Sequence, residues 1–302
     1  MTAVPQAVTT PAPAAGPDRP PSARRRPAHR LRRLGLLAIA TAVGVVIAAP
    51  IYFGVLGGFK DNNQLSTTPL ALPSTWHISN YTGILADGTF WRSIFNSSLV
   101  ALGTVVITVG VGALAGFVFA RFAFRGREFM FMFFAAGLMF PPAVAILPLF
   151  VLLRELQMLN TPWGVVLPQA AFALPLTIII LRTFFRTVPA EIEESATLDG
   201  CSTFGVFWRI MLPMARPALA VVSVLALVTS WNNFLLPLVV LRDQSWWTIP
   251  IGVMRFGDQW AADTALVLAY TMLAMVPALA FFFLAERQLV AGIAPGAPGT
   301  KG

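Results

Sequence analysis

The chain has one cysteine, two histidines and two lysines among 302 residues, and each scarcity excludes something. Cys201 alone forms neither an internal disulfide nor a thiolate metal site. His29 and His77 stand in polar segments far from any carboxylate cluster, short of the ligand set that zinc or a two-histidine iron centre needs. Neither Lys60 nor Lys301 sits in a Gly-rich G-x-x-x-x-G-K-[ST] loop, so the chain cannot build a P-loop nucleotide site. Charge is scarce too. Only 11% of residues are Asp, Glu, Lys or Arg and 57% are hydrophobic, whereas soluble domains hold about 25% charged residues. Too few charges remain to cover a soluble surface, and the composition is that of an integral membrane protein.

What is abundant is long apolar sequence. A membrane-crossing helix needs roughly 20 such residues. Six uncharged, strongly apolar runs qualify: Leu34–Phe59, Ser93–Ala120, Phe129–Leu153, Leu156–Leu181, Pro217–Leu241 and Thr264–Ala285. A seventh uncharged run, Asn62–Ala86, is rich in polar side chains and prolines that would be costly in lipid, and is placed outside the bilayer. The expected fold is therefore an all-α integral membrane protein with six transmembrane helices. Residues 1–30 form a basic tail without periodicity, expected to be disordered. Residues 31–290 form the membrane domain, and 291–302 a flexible tail. Arg24–Ala49 has the basic start and small-residue end of a signal peptide, but its apolar stretch exceeds the 7–15 residues of such a segment, which favours an uncleaved first span.

The net charge of +8 is not distributed as a nucleic-acid surface would require. Seven arginines crowd residues 19–33 and the others flank apolar runs. With both termini in the cytoplasm, 16 basic residues lie inside and five outside (Lys60, Arg92, Arg154, Arg242, Arg255), as the positive-inside rule favours. Trp76, Trp91, Trp163, Trp246, Trp247 and Trp260 then all fall outside, at span ends or in loops. No run carries a charged residue at its middle, where proton- and sodium-coupled carriers commonly keep one. This argues against a secondary carrier or a membrane-embedded enzyme.

The informative segment lies between the fourth and fifth runs, Arg182 to Arg216, with PAEIEESATLDGCSTFGVFWRIMLP at 189–213. It reads as two short helices with a break. Pro189 suits a first helical position, and Glu191, Glu193 and Glu194 lie at the positive end of the helix dipole. Gly200 suits the left-handed stop, and Ser202 can cap a second helix with Phe204, Phe207, Trp208 and Met211 on one face. Two readings fit: an amphipathic helix on the inner leaflet, or a docking element whose acidic, small-residue helix meets a cytoplasmic partner while its aromatic helix packs on the chain's own spans.

Glu194-Ser195-Ala196, Gly200, Ile210, Leu212 and Pro213 resemble E-A-A-x3-G-x9-I-x-L-P, the cytoplasmic loop signature of bacterial ABC importer permeases. FNSSLVA at 95–101, FARFAFRG at 119–126 and WNNFLLPLVVL at 231–241 are similar to segments of the sugar-importer, maltose-type branch. The resemblance covers about residues 35–290 and departs from the signature at Ser195 and Cys201, where alanine is usual. It implies a type I permease fold in the bacterial cytoplasmic membrane and a role as permease for a mono- or oligosaccharide. It implies an ATP-binding cassette ATPase dimer, a second permease subunit as heterodimer partner and an extracytoplasmic sugar-binding protein as partners, and no cofactor. The coupling loop, 186–216, would offer Glu191, Glu194, Ser195, Ala196, Asp199, Gly200, Ile210, Leu212 and Pro213. Importers of amino acids, peptides or polyamines share the loop signature and remain the alternative.

In the fifth run Ser223, Ala226, Ser230, Asn233 and Pro237 are spaced 3, 4, 3 and 4, one helical face, with Trp231 and Asn232 beside them. Ser230, Trp231, Asn232 and Asn233 combine amides, a hydroxyl and an aromatic face that suit a hydroxyl-rich solute. Hydrogen bonding to another helix explains the same residues equally well. Pro141, Pro142, Pro148, Pro168 and Pro175 are expected to bend or unwind the third and fourth spans.

Overall fold

The computed structural model describes residues 26–257 and 263–293. The expectations for the N-terminal tail to residue 25, for Trp260 and for residues 294–302 lie outside them. All regular structure in the described residues is helical. The helices are α1 (Arg26–Gly57), α2 (Asn62–Thr67), α3 (Ser79–Ala86), α4 (Gly88–Arg121), α5 (Arg127–Ala136), α6 (Pro142–Glu155) and α7 (Trp163–Thr187). They continue with α8 (Ala190–Leu198), α9 (Thr203–Val206), α10 (Leu212–Met214), α11 (Arg216–Trp231), α12 (Leu235–Val240), α13 (Ile249–Gly252) and α14 (Thr264–Ile293).

Residues up to Pro50 form one compact unit and those from Ile51 a second. In the first, every side chain from Arg33 to Pro50 is exposed, the pattern of an apolar helix whose solvent is lipid. The second unit holds the elements from α2 to α14.

Among the described residues, α1 included, four helices are long and apolar enough to cross a membrane, and counting each of two bent pairs as one span brings the number up to six; the second pair joins Thr203–Met214 to Arg216–Trp231 at 75°. The expected six spans correspond to this upper count, with internal breaks. The third is bent by 101° between Arg127–Met139 and Pro142–Glu155, where Pro141-Pro142 end one helix and start the next. The fourth begins at Trp163 rather than Leu156, because Gln157 and Asn160 take positive φ and turn the chain. Asn160 anchors that turn: its N–H donates to the Val240 carbonyl and its Oδ1 accepts from Asp243 N. Pro168 and Pro175 do not interrupt α7, which runs unbroken and buries both rings. In the fifth span α11 has 16 residues, about 24 Å of rise, and stops at Asn232 before the chain resumes as α12.

The centre of the unit is α4 against α7. The buried stripe of α4 is small and hydroxylic: Ser93, Ser97, Ala101, Thr104, Thr108, Gly112, Ala113 and Gly116. Lipid supplies no hydrophobic drive between helices, so close backbone approach and hydroxyl bonds hold them together. Gly112 and Gly116 mark the closest approach. A Cβ on Gly116 would lie 3.0 Å from Leu181 Cβ and 3.1 Å from the Arg182 backbone nitrogen. At the end of α4 remote from α8, Asn96 Nδ2 donates to the carbonyls of Ser245 and Trp247, and Ser97 Oγ accepts from Ile249 N. The FNSSLVA segment is thus structural glue for the 245–249 connection.

Candidate functional site: a protruding helical loop and a cavity between four helices

Local chemistry builds the 189–213 loop as two helices with one break. Pro189 precedes α8, Glu191 and Glu193 occupy its first turn, and Gly200 stops it at φ +82°. Open space surrounds the position a Gly200 Cβ would take, so conformation, not crowding, demands glycine here. Ser202 Oγ then caps α9 by accepting from Gly205 N. The second helix widens into a π-helical turn, Phe207–Met211, just ahead of Pro213, which has no N–H to continue an α ladder.

One side of this loop is welded to the bundle. Ala196, Val206, Phe207 and Met211 are buried with Phe117 of α4 and Leu181 and Phe185 of α7, and Ile192, Ile210 and Leu212 pack against them. The other side is open. Glu191, Glu194, Ser195, Asp199, Gly200 and Pro213 are exposed, and Ser195 Oγ donates to the Glu191 carbonyl within its own helix. Leu198, 90% exposed at the tip of α8, was invisible to motif reading although it is out of phase with half-buried Ile192 and buried Ala196. The expected aromatic stripe divides: Phe207 and Met211 face inward, while Phe204 and Trp208 stack on each other in the open, 6.3 Å apart and 14° from parallel.

The span-five residues divide as well. Ser230 and Asn233 line a cavity of about 260 Å³ between α4, α6, α7 and α11, with Thr104, Gln169, Thr177 and Thr229 among its other polar walls. Trp231 turns away into a buried cluster with Phe90, Ile249 and Tyr270, and Asn232 lies on that side too. The two asparagines also maintain the helix break. Asn232 Nδ2 donates to the Val228 carbonyl, and Asn233 Oδ1 accepts from Leu236 N to start α12. Ser223 opens onto a different groove, with Arg216 and Phe281.

Gln169 is the cavity residue that sequence reading missed. It is 6% exposed; its Oε1 accepts from Ser230 Oγ and Thr104 Oγ1, and its Nε2 donates to nothing. A buried amide with an unused donor is costly in a low-dielectric interior unless something fills the space beside it. The only available signal was an amide inside the uncharged run of the fourth span, between two prolines' reach at Pro168 and Pro175.

Breakable apolar helices around a partly polar cavity, with a rigid loop projecting from one end, make up a multi-pass membrane transport subunit. The chain belongs to the family described as binding-protein-dependent transport system inner membrane component, whose match spans residues 108–289, and it resides in the cytoplasmic membrane. It is 37% identical over 83% of its length to a probable ABC transporter permease protein, YurM, of Bacillus subtilis, covering 84% of that protein. It is 31% identical to the diacetylchitobiose uptake system permease protein NgcG of Streptomyces coelicolor, covering 88% of this chain and 89% of that one. It is 34% identical to the arabinooligosaccharides transport system permease protein AraQ of Halalkalibacterium halodurans, covering 88% and 96%. Its fold matches a chain of the crystal structure of a bacterial ABC transporter that imports the acidic polysaccharide alginate. The TM-score is 0.74 at 20% identity, over 86% of this chain and 97% of that one.

Proposed function

We propose that the chain is a permease subunit that carries an oligosaccharide across the cytoplasmic membrane, driven by ATP hydrolysis on a separate subunit. The observation that carries the reading is the two-sided loop: α8 is fixed to α4 and α7 through Ala196, and offers Glu194, Ser195, Leu198 and Gly200 outward. Small residues permit close approach, the carboxylates can meet basic groups, and Leu198 supplies an apolar tip for a cleft on a cassette ATPase dimer. Both termini then face the cytoplasm, with the positive-inside distribution in support. A second permease subunit and an extracytoplasmic sugar-binding protein complete the assembly.

Sugar is favoured because relatives matching most of this chain are named for diacetylchitobiose and arabinooligosaccharides. The cavity is consistent with a hydroxyl-rich cargo: Gln169 Nε2, Ser230, Thr229 and Asn233 offer hydrogen-bonding partners along an otherwise apolar wall. ATP binding closes the cassette dimer, moves α8 with its cleft and opens the cavity outward; hydrolysis resets it.

The test is uptake of labelled oligosaccharide by proteoliposomes holding the assembled transporter. Uptake should require ATP inside and survive a protonophore. Gly200→Trp should abolish it while membrane insertion and pairing with the second permease persist, because a side chain at φ +82° strains the stop of α8 and projects into the open space where the ATPase would seat. Wild-type uptake by Gly200→Trp refutes the coupling role, and uptake that fails with the protonophore but not without ATP refutes the energy source.

A further inference from the structure

At the end of the bundle that carries α8 lies a charge cluster used by neither the exposed loop face nor the cavity. Arg121, the last residue of α4, holds the loop at two points. Its Nη2 donates to the Val188 carbonyl at 2.6 Å, and its Nε lies 2.6 Å from Glu193 Oε1 in the first turn of α8. The two side chains are 14% and 24% exposed, so this is a partly buried pair and not a solvated surface contact.

Arg182 of α7 makes a second junction and is 4% exposed. Its Nε donates to the Phe119 carbonyl in the last turns of α4 at 3.2 Å. Its Nη2 donates to both carboxylate oxygens of Glu128, at 2.6 and 2.7 Å, and its guanidinium sits 3.7 Å from the Phe131 ring centroid. Glu128 and Phe131 belong to α5, which leads into the 101° bend, and beyond the bend Pro142, Ala143 and Ile146 wall the cavity.

A chain of contacts therefore runs from α8 to α4 through Arg121, from α4 to α5 through Arg182, and along α5 to the cavity wall. Arg121–Val188 and Arg182–Glu128 are short, charge-assisted hydrogen bonds, and Arg121 forms a close ion pair with Glu193; the Glu128 carboxylate is 54% exposed and also meets Arg127 and Arg186. Releasing Arg182, 4% exposed, from Glu128 leaves a buried guanidinium without its carboxylate, so this junction holds or breaks. Coupling between distant sites needs such elements with discrete arrangements.

We propose that Arg121 and Arg182 form a two-arginine relay that delivers the displacement of α8 to α5, so that the bend beside the cavity moves with the ATPase. The proposal rests on the coupling role of α8. Both arginines are positioning residues: neither lines the cavity.

The test uses the assembled transporter in proteoliposomes with Arg121→Glu, Glu193→Arg, the exchanged pair Arg121→Glu/Glu193→Arg, and Glu128→Gln. Uptake per ATP hydrolysed is read, together with a crosslink between Leu198→Cys and the ATPase subunit. Each single reversal should lower that ratio about tenfold with hydrolysis changed less than about twofold, and the exchanged pair, which restores the ion pair but not the bond to the Val188 carbonyl, should regain about twofold or more. Glu128→Gln should lower it about fivefold. A purely structural role would instead reduce assembly, hydrolysis and crosslink together, which overturns the relay. Wild-type ratios in the single variants with the crosslink intact, or no recovery in the exchanged pair, also overturn it. Failure of the crosslink in the otherwise unaltered transporter overturns the docking of α8, and the relay with it.

Discussion

Two glycines about 1.7 turns apart on α4 should respond oppositely to the same kind of substitution. At Gly116 a Cβ would meet the Leu181 Cβ at 3.0 Å and the Arg182 backbone nitrogen at 3.1 Å. Backbone cannot rotate aside as a side-chain tip can, so α4 and α7 must separate by several tenths of an ångström over a dry interface. Overpacking of this kind costs about 1–3 kcal/mol. Gly116→Ala recovers up to about 1 kcal/mol of helix propensity, which brings its net cost to about 0–2 kcal/mol. Gly116→Val recovers less and adds two methyl groups, for a net loss of about 2–3 kcal/mol, or roughly 30- to 150-fold in the folding equilibrium at 1.4 kcal/mol per decade. At Gly110 nothing lies within 4 Å of the same atom, so Gly110→Ala should be neutral or stabilise by up to about 1 kcal/mol. The assay is the midpoint of SDS-induced unfolding, followed by helical circular dichroism, in micelles of one lipid composition. If Gly116→Val unfolds at the wild-type midpoint, or Gly110→Ala is damaged as much as Gly116→Val, close backbone approach is not what holds these helices together.

Gln169→Leu removes the unpaired donor and the acceptor shared by Thr104 and Ser230, both of which can turn to carbonyls of their own helices. Assembly should stay near wild type while uptake falls about tenfold, the value of one lost hydrogen bond at roughly 1.4 kcal/mol; undiminished uptake at low solute would remove Gln169 from the pathway. Three aspartates outside the spans are held below the ordinary carboxylate range: Asp61 chiefly by the Gln64 backbone N–H, Asp87 by the Thr89 hydroxyl and Asp243 by the Ser245 backbone N–H. Because the folded pKa is the lower one, their stabilisation is complete above about pH 4 and fades as pH falls through the folded values. Protease sensitivity of the 61–87 and 243–246 connections should therefore rise only in acid, and a rise near neutrality would contradict the caps.

The loop between the fourth and fifth spans was legible in the sequence because local rules decide it. Pro189, Gly200 and Ser202 each act on the backbone beside them, and the break falls where they place it. The number of apolar runs was legible for the same reason that hydropathy reads membrane proteins at all. The breaks within the runs were not. The start of α7 depends on Asn160 meeting residues some 80 positions away, and the span-five stripe is cut at Asn232 by caps that a helical wheel does not contain. Gln169 escaped a search for charge because an amide has none. Arg182, read as the edge of a loop, is buried inside α7, and only the tertiary partners Glu128 and Phe131 reveal what it does.

The 60–78 segment carries its own reporter. Lys60 is wholly buried, and its ammonium donates to the carbonyls of Thr68 at 2.7 Å and Pro69 at 2.9 Å. In a sequence with just two lysines, this withholds half of the amine side chains from acylating reagents while the segment stays closed. An adduct on Lys60 then records that the ammonium has left both carbonyls. Its rate of appearance becomes a clock for the opening of this segment, against a background of one other lysine side chain, Lys301.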